Sequence, residues 1–154
     1  MNLKEIIVPK GKVLLDFYNV KTKKHQYITV NNMVVTAGKN SMADALRGTE
    51  TNNQGIITYC ALGTGITAPA LADVKLQTEL FRKLISVRSV AANVATFQTF
   101  FTTSEAVGTL KEAGLFGDNA SGTADSGTLF CRVAINRTKS ANDTLTLYWS
   151  VTIG

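Results

Sequence analysis

Thr144-Leu-Thr-Leu-Tyr-Trp-Ser-Val-Thr-Ile153 decides the fold. Successive side chains of an extended chain point to opposite sides, so Leu145, Leu147, Trp149, Val151 and Ile153 share one face. Thr146, Tyr148, Ser150 and Thr152 share the other. The first face belongs on a core, and the second meets water or another subunit. Upstream, Thr128-Leu-Phe-Cys-Arg-Val-Ala-Ile135 reads as a companion strand, joined to the last one by a polar connector over 136–143.

The N-terminal third reads the same way. Val13-Leu-Leu-Asp-Phe-Tyr-Asn-Val20 and Gln26-Tyr-Ile-Thr-Val30 are rich in β-branched and aromatic residues, and Lys21-Thr-Lys-Lys-His25 between them suits a hairpin loop. Ile56-Ile-Thr-Tyr-Cys-Ala-Leu62 reads as a buried strand. A long β-rich tract follows from Arg82 to Thr103, with Asn93 marking the turn that splits it into a hairpin. The composition of 117–127 makes that segment a surface loop.

Helical punctuation occurs in Gly38-Lys-Asn-Ser-Met-Ala-Asp-Ala-Leu-Arg-Gly48. Asn40 or Ser41 can cap it, Asp44 lies in its first turn, Met42, Ala45 and Leu46 recur at helical spacing, and Gly48 can close it. A second short helix is possible from Leu71 to Leu80. Some eight strands with one or two short helices and no βαβ alternation predict a mainly-β fold, an antiparallel β-sandwich, with 1–154 forming one domain.

Composition limits the function. Charged residues make up only 18% of the chain, below the roughly 25% usual for soluble domains. The formal net charge is +5, and all of it is N-terminal: residues 1–39 hold seven lysines against Glu5 and Asp16, whereas 40–154 balance nine against nine. The run Lys21–His25 is a solvated loop tip that discourages edge-to-edge pairing, or else a contact for an acidic partner, nucleic acid or lipid head groups. The distribution matters more than the total: all of the excess is N-terminal and much of it sits in this one short run, and nucleic acid is not expected as the main partner. No membrane span is expected, and Lys4, Glu5, Pro9 and Lys10 occupy the place where a signal peptide needs an apolar run, so synthesis and folding in the cytosol are expected. Cys60 and Cys131 have no CxxC spacing and read as buried free thiols.

Motifs for chemistry are sparse, and no catalytic, cofactor-binding or metal-binding residue is expected. Gly63-Thr-Gly65-Ile-Thr-Ala68 follows an apolar strand, as in a dinucleotide site, but Pro69 follows and no helix opens there, so it reads as a tight turn. His25 is the only histidine and lies among lysines that repel a metal ion. Glu79 and Glu112 are the acids set among core residues. They are expected to accept hydrogen bonds from Arg82, Arg132 or backbone N–H groups and to fix the register of loop and strand.

Several strings together carry a resemblance. Tyr59-Cys-Ala-Leu-Gly-Thr-Gly-Ile-Thr-Ala-Pro-Ala-Leu-Ala-Asp73, Leu76-Gln-Thr-Glu-Leu-Phe-Arg82, Lys111-Glu-Ala-Gly-Leu-Phe116, Gly127-Thr-Leu-Phe-Cys-Arg132 and the closing strand resemble small phage tail-associated structural proteins of the tail-fibre or baseplate type. The likeness runs from about Asn31 to Ile153 and rests on turn and core signatures. It implies a virion component assembled in the host cytoplasm, present in several copies and in contact with itself and with neighbouring virion proteins. It implies no active site. The competing expectations are a head decoration protein and a module that binds host-surface carbohydrate through Tyr18, Tyr27 and Tyr148.

Overall fold

A computed structural model describes residues 8–48 and 55–154. The Thr49–Gln54 loop and the N-terminal Lys4 and Glu5 lie outside the described residues. The elements are β1 (Lys10–Asn19), β2 (Lys24–Val34), α1 (Thr36–Arg47), β3 (Ile57–Gly63), β4 (Glu79–Leu84), β5 (Val87–Ala91), β6 (Val94–Phe101), β7 (Gly108–Gly117), β8 (Thr128–Lys139) and β9 (Asp143–Thr152). The fold is mainly β, as the alternating strands predict. All pairings are antiparallel, in the order β4-β3-β7-β8-β2-β1-β9-β6-β5.

This sheet curls over so that its two halves face each other as a sandwich. One layer is β2-β1-β9-β6-β5, and the other is β4-β3-β7-β8 with the end of β2. Val13, Leu15 and Phe17 of β1 and Leu145, Leu147, Trp149 and Val151 of β9 share one core with Cys60 and Leu62 of β3, Leu110 and Leu115 of β7 and Val133 of β8. Ile153 falls beyond the end of β9 and is exposed.

Two segments carry the chain between layers. β2 pairs with β1 over most of its length and then, through Met33 and Val34, with β8. On the far side, the amide of Ile85 donates to Thr58 O in one layer and the next amide, Ser86, donates to Gln98 O in the other. Consecutive N–H groups of a strand point in opposite directions, and here that alternation joins the layers. The β5–β6 hairpin turns at Ala92-Asn93, as the sequence predicts.

Cys60 and Cys131 are free and buried. Each pairs with Leu115 from opposite sides of β7, so two strand spacings, about 10 Å, separate them, too far for a disulfide. Burial pushes both thiols up to about 12, which keeps them protonated and inert at neutral pH.

The helix is present but is built differently from the expectation. It starts at Thr36, its N-cap is Val35 without a side-chain cap, and neither Asn40 nor Ser41 caps it. Asp44 lies late in the helix, where it pairs with Arg47. Gly48 does close it, in the left-handed conformation at φ 72° that an L side chain rarely adopts. The buried helical residues are Gly38 and Ser41, whereas Leu46 is 90% exposed. A Cβ on Gly38 would come within 2.6 Å of the Phe130 backbone, so absence of a side chain lets the helix lie directly on β8.

Three further expectations are corrected. Leu71–Leu80 forms no helix, because Glu112 engages the amides of Gln77 and Thr78 and Leu76, 1% exposed, is drawn into a second core with Val35, Ala61, Phe116 and Leu129. The connector after Ile135 is strand as far as Lys139, where Arg137 lies over the Phe17 ring. Nine strands form among the described residues, since the tract after Arg82 contains a layer crossing as well as a hairpin.

Candidate functional site

The outer faces of the two layers differ, and that difference locates the candidate site. Over β3, β7 and β8 the chain builds a roof from α1, the 64–78 segment and the 118–127 loop. Glu112, 1% exposed, holds the first loop down: its carboxylate accepts from the amides of Gly65 (3.0 Å), Gln77 (3.0 Å) and Thr78 (2.8 Å). Arg132, 2% exposed, donates through Nε to Glu112 (3.0 Å), through Nη1 to Asp73 (2.6 Å) and through Nη2 to Thr67 O (3.1 Å). A Cβ on Gly63 or Gly65 would meet Glu112 Oε1 at 2.6 or 2.4 Å, so both glycines are there to admit the carboxylate. No helix follows them, in keeping with a turn.

Glu79 and Arg82 hold the second loop. The guanidinium pairs with the carboxylate at 2.6 and 2.8 Å, donates to Ser121 O and Ser126 O, and stacks 4.5 Å from the Phe116 ring centroid. Glu79 also accepts from the Asp125 amide. Both acids singled out in the sequence thus do what was expected of them, bonding to Arg82, Arg132 and backbone N–H groups. Glu79, Glu112 and Asp73 are thus turned toward the chain itself.

Among the described residues, the outer face of β2-β1-β9-β6-β5 has no such roof. Register places Tyr27 beside Asp16 and Thr146, and Tyr148 between Leu14 and Gln98. Tyr18, Tyr27 and Tyr148, three residues far apart in sequence, therefore share one face. Tyr27 is 63% exposed, and Tyr148 and Phe100 are also exposed. At the hairpin end His25 lies 4.6 Å from the Tyr18 ring and stacks on Tyr27 at 5.6 Å with 7° between planes. Its Nδ1 is 2.7 Å from Asp16 Oδ1, so a carboxylate, and not the neighbouring lysines, is its partner. Lys21, Lys23 and Lys24 are exposed on the hairpin turn and the start of β2. Phe100, Leu14 and Gln98 also belong to this face. Strand parity could have assigned them to it, but not their neighbours.

One residue escaped the sequence reading altogether. Lys139 is fully buried, and its ammonium donates to Thr102 O (2.8 Å) and Thr103 O (3.3 Å), pinning the turn between β6 and β7. Burial depresses its pKa against the opposing pull of Asp143 and Glu105. Among the described residues, no group of three or more His, Cys, Asp or Glu is placed to hold a metal ion, and no helix is long and apolar enough to cross a membrane.

Three carboxyls make the fold acid-sensitive. Burial would raise Asp73, but the Ala70 amide and Arg132 outweigh it and hold it low. Burial would likewise raise Glu105 and Asp143, but Lys83 and Thr102 outweigh it at the first, and Ser140 and Asn19 at the second. Each folded-state pKa lies below the unfolded value, so each contribution is complete above the unfolded pKa and is lost as pH falls through the folded one. The urea midpoint is expected to hold steady from pH 7 to about 5 and to fall below about pH 4. Combining Asp73→Asn, Glu105→Gln and Asp143→Asn should lower the neutral-pH midpoint and flatten that acid limb. An unchanged limb in the triple variant would assign the acid sensitivity elsewhere.

No known family model, curated protein or solved structure matches the chain.

Proposed function

We propose that the protein is a non-enzymatic structural subunit of a tailed-bacteriophage virion, in the tail, collar, baseplate or fibre attachment. It acts through contacts with copies of itself and with neighbouring virion proteins. The observation that carries this reading is where large apolar side chains remain exposed. Ile66 (81%) and Val74 (67%) stand on the roof, and Val90 (75%) stands on β5, a strand with every residue exposed and, among the described residues, no neighbour on its outer edge. Unpaired strand edges and apolar side chains are what a subunit covers on assembly. Two different surfaces on one chain suit a head-to-tail contact, which closes into a ring when its rotation permits.

The likeness of the 59–82, 111–116 and 127–132 strings to phage tail-associated proteins supports the same reading. Size-exclusion chromatography with light scattering tests it. A discrete oligomer is expected, which Val90→Lys on β5 or Ile66→Lys on the roof dissociates without changing the circular dichroism spectrum. A monodisperse monomer at all concentrations would count against self-assembly. Mass spectrometry of separated heads and tails then distinguishes a tail subunit from a head decoration protein.

A further inference from the structure

The uncovered face carries an open hollow of about 380 Å³, bounded on one side by Val87 and Ser89 of β5. Leu14, Val87 and the ring of Tyr148 supply its apolar surface, Gln98 supplies an amide, and the hydroxyls of Thr96 and Ser150, paired within the chain with Ser89 and with Lys12 O, line it as well. Its single charged lining residue is Lys12, which is exposed and forms no ion pair among the described residues. The nearest acid along β1, Asp16, is held toward the hairpin by His25.

This combination fits one ligand chemistry. A pyranose ring has an apolar C–H face for an aromatic side chain and hydroxyls for amide and hydroxyl partners. An unneutralised ammonium in the same hollow calls for a carboxylate on the sugar. The hollow lies open on the sheet surface, which admits internal units of an extended chain and gives no deep pocket for a bulky terminal sugar. From these we infer that the outer face of this layer binds a polysaccharide containing hexuronic acid, with the sugar carboxylate on Lys12 and the ring on Tyr148.

The test titrates the full chain with an oligogalacturonate and with its methyl ester, followed by NMR and calorimetry. Binding of the acid form is expected, with shift changes on β1, β9 and β6, weakened by salt and weaker for the uncharged ester. Lys12→Gln removes the charge-assisted contact and Tyr148→Ala removes the stacking ring; each should weaken binding about tenfold. Both side chains are exposed, so the unfolding midpoint should not move. Three results would overturn the inference: no shift changes at millimolar oligogalacturonate, binding indifferent to both substitutions, or changes confined to the Lys21–Lys24 hairpin. Concentration-dependent self-association through Tyr148 without sugar binding would give the face to a second copy instead.

Discussion

Glu112→Gln is expected to cost about 3–5 kcal/mol of folding stability. The carboxylate receives three backbone amides and the Arg132 guanidinium in a site where both side chains are essentially inaccessible to water. An amide of the same shape offers one acceptor and turns an NH2 toward groups that can only donate. It also leaves Arg132 with Asp73 alone to balance its charge. Removing one partner of a buried pair strands the other, which is far costlier than removing both. Adding Arg132→Met to Glu112→Gln should therefore cost less than the sum of the two single changes. Urea unfolding monitored by tryptophan fluorescence reads this as a shift in midpoint at constant slope. Hydrogen exchange should show the amides of Gly65, Gln77 and Thr78 losing protection first. A loss under about 1 kcal/mol would mean that the 64–78 segment is held by Leu76 and the second core without the carboxylate.

Trp149→Ala is expected to cost about 3–5 kcal/mol, while Tyr148→Ala changes stability by about 0.5 kcal/mol or less. The two are neighbours in sequence and opposites in environment. Trp149 is 1% exposed and lies against the Cys60 thiol across the core, joining β9 to β3 in the facing layer. Tyr148 is 42% exposed, on the uncovered face. Truncating the first opens a cavity between layers that neither rigid sheet can close. Truncating the second exposes little that was not already wet. Equal costs would mean that the outer face is buried in solution, as it would be in a constitutive dimer packed through that face.

The reach of the sequence differs from element to element. Alternation in β9 and β1 reports directly which residues are buried, because a two-layer fold imposes a period of two on each strand. The split at Asn93 was legible for the same local reason, a turn residue between two apolar runs. The partners were not. Nothing near Leu71–Leu80 reveals that Glu112, some 35 positions later, will claim the amides of Gln77 and Thr78 and unwind a segment with helical spacing. Nor does the polar run after Ile135 reveal that Lys139 finds carbonyls at Thr102 and Thr103. Helix α1 was recognisable from Gly48, but its packing depends on Gly38 meeting β8, a close approach that no local signal encodes. At the candidate site, parity puts Tyr18 and Tyr148 on outward faces. Their company with Tyr27, His25 and Asp16 follows only from the β2-β1-β9 register.

Mass spectrometry of purified, intact phage particles tests the central claim most directly. Peptides of this chain should be present at more than one copy per particle and should remain with the tail fraction when heads and tails are separated. Complete absence from purified particles, with the free protein a monodisperse monomer, would contradict it.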